Sequence, residues 1–225
     1  MFLDQNIKGI CSKYGVDFEA FLADFGVENV KELTIFDLEA IAEENQVDLQ
    51  GLMFKPLFKQ SSWKSKLDKI KLLVIDVDGV MTDGGMYFSE SGDQIKKYNT
   101  KDGMAIIHLT KNDFQVAVIS SGFTNNMVQK RAEMLGIQNC YVGREKKIDI
   151  LNQYCDQLGI TLENVAMIGD DINDLEVIKS IGFSASPADA MVAVKTHVDV
   201  ILNKKGGEGC VREFIDTYIL KEPLS

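Results

Sequence analysis

From residue 70 onward, short apolar runs alternate with stretches of helical periodicity. The clearest runs fall at 72–75, 116–119, 165–168 and 198–202, with weaker ones at 139–142 and 182–185. The four clear runs are short, rich in Val, Ile and Leu, and predict strands buried on both faces. Between them, apolar positions at helical spacing predict helices near 102–111, 124–135, 146–158, 172–180 and 209–219. This alternation predicts an α/β fold, a parallel sheet covered by helices on both faces. One segment breaks the pattern. Gly85-Met86-Tyr87-Phe88, a polar turn through Gly92 and Asp93, and Gln94-Ile95-Lys96-Lys97-Tyr98 predict a β-hairpin directly after the first strand.

Residues 1–55 read differently. Phe18, Phe21, Leu22 and Phe25, then Leu38, Ile41 and Ala42, recur at helical spacing with acids between them. Thr34 stands where a helix cap belongs, and Asp37 takes the place of a capping-box Glu. Residues 1–60 hold five basic against eleven acidic residues, more than half of the chain's net charge of −10. A small acidic all-helical module over 1–60 is expected, followed by the α/β domain over 61–225. Phe54-Lys55-Pro56 and Gln60-Ser61-Ser62-Trp63-Lys64 mark the boundary, where Pro56 discourages a continuous helix. The module's role is not legible; helical packing or self-association is the default.

The acidic balance argues against nucleic acid or an anionic membrane as a general partner. No apolar run approaches 18 residues, and the N-terminus lacks the basic-then-apolar layout of a signal peptide. Cys11, Cys140, Cys155 and Cys210 are scattered without CxxC spacing, which suits reduced thiols in a cytoplasmic protein. With only His108 and His197 present, a His-rich metal site is not expected.

Chemistry concentrates at strand ends. Asp76-Val77-Asp78-Gly79-Val80-Met81-Thr82-Asp83 follows the first strand, at the edge where open parallel sheets bind ligands. Asp76 and Asp78, two residues apart on extended backbone, point to one side. A second cluster, Gly169-Asp170-Asp171-Ile172-Asn173-Asp174, follows the strand at 165–168. Three Asp within five residues repel one another unless a cation or hydrogen-bond donors offset the charge. Hard oxygen donors of this kind suit Mg²⁺. Either cluster alone is equally well explained as a turn or a capped helix start; two in one sheet favour metal chemistry. Ser120-Ser121-Gly122 before a helix offers a hydroxyl and backbone N–H groups to an anion. Lys146 or Lys147, opening the next helix, could balance the carboxylates.

In this order the four segments, spread over residues 70–175, resemble the haloacid-dehalogenase superfamily of phosphotransferases. The resemblance implies a Rossmann-like three-layer α/β/α domain with a β-hairpin insertion. It implies Asp76 as nucleophile and Asp78 as general acid and base. Ser121, Gly122 and Lys147 would bind the phosphoryl group, with Lys146 left open as the alternative lysine. Mg²⁺ would be held by Asp76, the backbone carbonyl of Asp78, and Asp170, with Asp171 and Asp174 as supporting or alternative ligands.

The segments at 97–103 and 205–213 resemble the capless subgroup acting on 3-deoxy-ulosonic acid phosphates, and no insertion is long enough for a cap domain. It covers residues 68–219 and leaves out the N-terminal module. It implies a phosphomonoesterase for 3-deoxy-D-manno-octulosonate 8-phosphate in lipopolysaccharide synthesis, in a homotetramer whose neighbours close the site. A nonulosonate (sialic-acid-type) 9-phosphate phosphatase, or a non-catalytic scaffold on the same fold, are the alternatives. Arg131 is expected either to hold the sugar acid's carboxylate from across a subunit interface or to stand as a helix-surface charge. Gly206, Gly207 and Gly209 are expected to form a mobile flap over the substrate. Phe123, where the octulosonate enzymes usually carry Arg, departs from the pattern.

Overall fold

The computed structural model describes residues 2–45, 47–54, 57, 61–92, 94–122 and 125–220. The chain divides into two compact units, Met1–Trp63 and Lys64–Ser225. Lys55, Pro56 and Gln60 of the expected boundary, and Phe123 and Thr124 after the Ser-Gly turn, lie outside the described residues.

The first unit is helical: α1 (Leu3–Tyr14), α2 (Phe18–Asp24), α3 (Ile35–Glu44) and α4 (Leu49–Phe54). Its core gathers Ile7, Ile10, Leu22, Leu38, Ile41 and Leu52, with Phe18, Phe21 and Phe25 packed against it. Helix α3 begins with a reciprocal cap. The Thr34 N–H donates to Asp37 Oδ2 (2.7 Å) and the Asp37 N–H donates to Thr34 Oγ1 (3.3 Å). Asn6, fully buried, donates from Nδ2 to the Leu52 carbonyl (2.8 Å) and ties α1 to α4. The division between the units falls within α5 (Ser61–Leu67).

The second unit follows the α/β expectation. Its strands are β1 (Leu72–Ile75), the hairpin pair β2 (Tyr87–Phe88) and β3 (Gln94–Ile95), β4 (Gln115–Ser120), β5 (Asn139–Val142), β6 (Val165–Ile168), β7 (Phe183–Ser186) and β8 (Val200–Ile201). Apart from the hairpin they form one sheet in the order β5-β4-β1-β6-β7-β8, parallel throughout. The helices are α6 (Thr100–Lys111), α7 (Asn125–Met134), α8 (Lys147–Leu158), α9 (Leu175–Ile178), α10 (Val192–Lys195) and α11 (Cys210–Phe214). All four residues of β1 are completely buried. Leu72 and Val74 join Ile150, Leu151 and Cys155 of α8 on one face. Leu73 and Ile75 alternate to the other.

Two expected elements come out shorter. The helix expected over 172–180 becomes a 3₁₀ turn, Ile172–Asp174, leading into α9, because Asp171 and Asp174 cap that turn reciprocally. The strand expected over 198–202 keeps only Val200–Ile201. Just before it, Asp199 turns its carboxylate to the Ser184 N–H (2.9 Å) and to Lys66 (2.7 Å). Helix α10 was not foreseen from the sequence. In chain order the hairpin fills the stretch between β1 and α6, where a cap domain would be inserted.

Candidate active site

Strand β1 sits at the centre of the sheet, between β4 and β6, and these three strands end side by side. Ile75 is in register with Val118 of β4 and with Ile168 of β6. Asp76, Ser121 and Asp170 therefore emerge from adjacent strand ends into one cleft, the position where parallel sheets bind ligands. A cavity of about 340 Å³ opens there, lined among others by Asp76, Asp78, Lys96, Ser121, Asp170 and Asn173.

After Asp76 the chain makes one tight turn, Val77–Met81, closed by the Thr82 N–H donating to the Val77 carbonyl (3.0 Å). Gly79 within it has φ +83°, and a Cβ there would overlap the Asp170 carboxylate. Only glycine combines that backbone with that approach. The turn thus sets the two acidic loops against each other.

Lys147, the first residue of α8, reaches under Asp76. Its Nζ lies 2.8 Å from Asp76 Oδ1 and 2.7 Å from Asp174 Oδ1, and all three side chains are buried. Lys146 is exposed and begins the helix as its cap residue, so the lysine brought to the carboxylates is Lys147. Two of the three ammonium donors are engaged by these carboxylates; the third has no partner among the described residues. Asp174 makes three contacts. Besides Lys147 it accepts from the backbone N–H groups of Asp170 (3.0 Å) and Asp171 (3.3 Å) through Oδ2. It holds the loop and the lysine together.

Carboxylate oxygens of Asp76, Asp170 and Asp174 all lie within 4.8 Å of one another, a grouping suited to a metal ion. The unsatisfied atom is Asp170 Oδ1, buried and without a partner among the described residues. A buried carboxylate oxygen left unpaired is costly, and a divalent cation held by these carboxylates would supply the missing partner. The donor set, oxygens alone, fits Mg²⁺. Titration reflects the same crowding. Burial, then the charges of Asp76, Asp174 and Asp171, push Asp170 up to about 8. Burial, with Asp174 adding to it against the pull of Lys147, raises Asp76 to about 6. Burial works against the Lys147 ammonium, but the two carboxylates outweigh it and hold its pKa above the ordinary lysine value.

Asp78 points to the cavity and pairs with Lys96, a residue sequence reasoning did not select. Its signal was available: alternation puts Gln94 and Lys96 on one face of the hairpin, and both line the cavity. Ser121 follows directly on β4, and its Oγ accepts from Asn173 Nδ2 (3.1 Å), a second residue not singled out. Asp171 is exposed and accepts from the Ile172 N–H (2.7 Å).

The remaining expected residues sit elsewhere. Arg131 lies back over the Tyr98 ring, 5.4 Å from its centroid, and under Gly103, where any Cβ would collide with the guanidinium. Its Nε is buried and unpaired among the described residues. It is not among the residues that line the cavity, and its guanidinium is packed against Tyr98 rather than free on the helix surface. Gly206 and Gly207, expected in a flap, make specific backbone contacts in this structure. The Gly207 N–H donates to the Val80 carbonyl (2.9 Å), the Gly207 carbonyl accepts from Asn99 Nδ2 (3.0 Å), and the Gly206 N–H donates to Asp189 Oδ1 (3.0 Å). A Cβ on Gly206 would overlap the Gly79 carbonyl, and Gly207 has φ +67°. Glycine is needed here for close approach to the Asp76 loop, a reason for these glycines other than flexibility.

Residues 93–182 match the family model of haloacid dehalogenase-like hydrolases. The 3-deoxy-D-manno-octulosonate 8-phosphate phosphatase KdsC of Escherichia coli (strain K12) is 35% identical over 158 residues, 70% of this chain and 84% of that protein. A Moraxella catarrhalis enzyme of the same name, solved with magnesium, phosphate and KDO, superimposes with a TM-score of 0.68 at 31% identity, covering 72% of this chain and 92% of that one. The cobalt-bound phosphatase of Haemophilus influenzae gives 0.65 at 38% identity, covering 68% and 90%. With its sheet order, its paired acidic loops and these relatives matched over most of their length, the chain belongs to the haloacid dehalogenase-like hydrolase family, among the relatives of the octulosonate phosphatases.

Proposed function

We propose that the unit Lys64–Ser225 is a Mg²⁺-dependent phosphatase of 3-deoxy-D-manno-octulosonate 8-phosphate. The observation that carries this is the junction of Asp76, Lys147 and the unpartnered Asp170 Oδ1 at neighbouring strand ends, in a chain whose relatives bear that activity in their names. The described residues that line the cavity belong to this unit.

An Asp76 carboxylate oxygen attacks phosphorus while the ester P–O bond breaks. The departing sugar oxygen takes its electron pair and a proton from Asp78. Asp78, now ionised, removes a proton from water, which attacks the aspartyl-phosphate and releases phosphate and the Asp76 carboxylate. The free donor of Lys147 and the Ser121 hydroxyl, held by Asn173, bind the phosphoryl oxygens. Asp76, Asp170 and the Asp78 carbonyl would hold Mg²⁺, which when bound would supply positive charge against the phosphoryl group.

The chain acts as a homotetramer through its hairpin. Tyr87 and Ile95, a cross-strand pair on one face of the hairpin, are 61% and 63% exposed. Apolar surface of this kind marks a contact. Light scattering behind size exclusion should give a tetramer for the wild type and smaller species for Tyr87→Glu; an unchanged mass for the variant refutes the hairpin contact. The activity itself is tested by Mg²⁺-dependent phosphate release from the octulosonate 8-phosphate and a nonulosonate 9-phosphate side by side, with Asp76→Asn as blank. Preference for the eight-carbon sugar supports the reading; preference for the nine-carbon sugar replaces the substrate.

A further inference from the structure

Lys96 is a buried cation that the phosphoryl chemistry above does not use. Its side chain is 4% exposed, whereas the Asp78 carboxylate it pairs with is 37% exposed. Burying an ammonium is costly unless it is well paired. Among the described residues its acceptor is Asp78 Oδ1. Lys147 and Lys96 thus divide the work at the two aspartates of the first loop, Lys147 under Asp76 and Lys96 against Asp78.

The hairpin explains how Lys96 reaches that point. Tyr87 is paired with Ile95 and Phe88 with Gln94. Directly paired residues share a face, and faces alternate along each strand. Tyr87 and Ile95 therefore stand on one side, while Met86, Gln94 and Lys96 stand on the other and line the cavity. One small two-stranded ribbon carries an exposed apolar pair outward and a buried ammonium inward.

We infer that Lys96 is the positioning residue of the acid–base step, fixing the Asp78 carboxyl toward the leaving oxygen, so that the seating of the hairpin governs proton transfer. The inference rests on the phosphatase reading and deepens it. Asp78 is the group that meets substrate; Lys96 acts through it. A flexible carboxyl on a turn has several rotamers, and a single ion pair from a rigid strand selects one. General acid–base catalysis contributes about 10²–10⁴-fold, so loss of the selected rotamer forfeits a large part of that factor.

A double-mutant cycle tests this with the full chain, Mg²⁺ and the octulosonate 8-phosphate: wild type, K96M, D78N and K96M/D78N. K96M should lower kcat about 10²-fold, leave KM nearly unchanged, and lose less activity on p-nitrophenyl phosphate, whose leaving group needs little help from an acid. K96R should recover part of the loss. In the D78N background the Lys96 substitution should have no further effect, because its effect passes through Asp78. If K96M does not fold by circular dichroism, K96Q takes its place in the cycle. Wild-type kcat in K96M, a change confined to KM, or an equal further loss in the D78N background each overturns the inference while leaving the phosphatase reading intact. Failure of the wild type to release phosphate from any of these esters overturns both.

Discussion

Replacing Lys147 by Met removes the one ammonium shared by two buried carboxylates, and the consequence follows from the geometry. The contacts are 2.8 Å to Asp76 and 2.7 Å to Asp174, with side-chain exposures of 3%, 6% and 0% for Lys147, Asp76 and Asp174. At an effective dielectric of about 20, each contact is roughly 6 kcal/mol of Coulomb attraction. Desolvation of the three charges and the repulsion between the carboxylates consume most of it. Removing one partner of a buried pair leaves a net loss of about 3–5 kcal/mol, which we expect for Lys147→Met in chelator at pH 8. The loss must depend on pH. Asp76 already titrates near 6, above the unfolded value of 3.8, so the folded protein binds its proton more tightly than the unfolded chain. Such a group stabilises the fold as pH falls through that window and destabilises it as pH rises. Without Lys147 the Asp76 pKa climbs further, the variant gains more from acid than the wild type does, and the gap at pH 5 should shrink by more than about 1 kcal/mol. Urea titrations read through hydrogen-exchange protection of β1, β4 and β6 report this unit alone. A loss under about 1 kcal/mol, or one equal at both pH values, refutes the reasoning.

Cation affinity should carry the same signature. Ligand carboxyls must be deprotonated to bind a cation, and Asp170 titrates near 8 when unliganded. Calorimetric Mg²⁺ affinity should therefore rise by up to about tenfold per pH unit between 6 and 8 and level off above; a flat profile contradicts the proposed ligand. Gly206→Ala pushes a Cβ into the Gly79 carbonyl. It should lower stability by about 1–3 kcal/mol and reduce kcat by displacing the Asp76 loop, read from the melting temperature and from turnover. A variant with wild-type values for both shows that the segment is the loose flap that glycine richness alone suggests.

Most of the fold was legible because a fully buried parallel strand needs little more than a short run of Val, Ile and Leu. β1 and β6 fall where the runs predict. The same logic located Asp76, Asp78 and Asp170, since polar residues directly after such runs lie at the ligand edge of the sheet. What escaped depended on three-dimensional register. Whether Lys146 or Lys147 turns inward is fixed by where α8 begins, and the extended backbone of Lys146 (φ −61°, ψ 131°) settles it. The glycines at 206 and 207 look the same in sequence whether they confer motion or permit contact, and the contact with Gly79 and Val80 is more than a hundred residues away. Arg131 against Tyr98, and Lys96 against Asp78, are likewise encounters between separate elements. Helix α10 is four residues long, too short for periodicity to register.

The central claim is that Asp76 takes the phosphoryl group. Acid quench of the wild type with Mg²⁺ and substrate within the first turnover, followed by peptide mass spectrometry, tests it most directly. A phosphoryl group on the peptide containing Asp76, absent in Asp76→Asn together with turnover, is the predicted result. Sustained turnover by Asp76→Asn, with no phosphorylated peptide in the wild type, would contradict it.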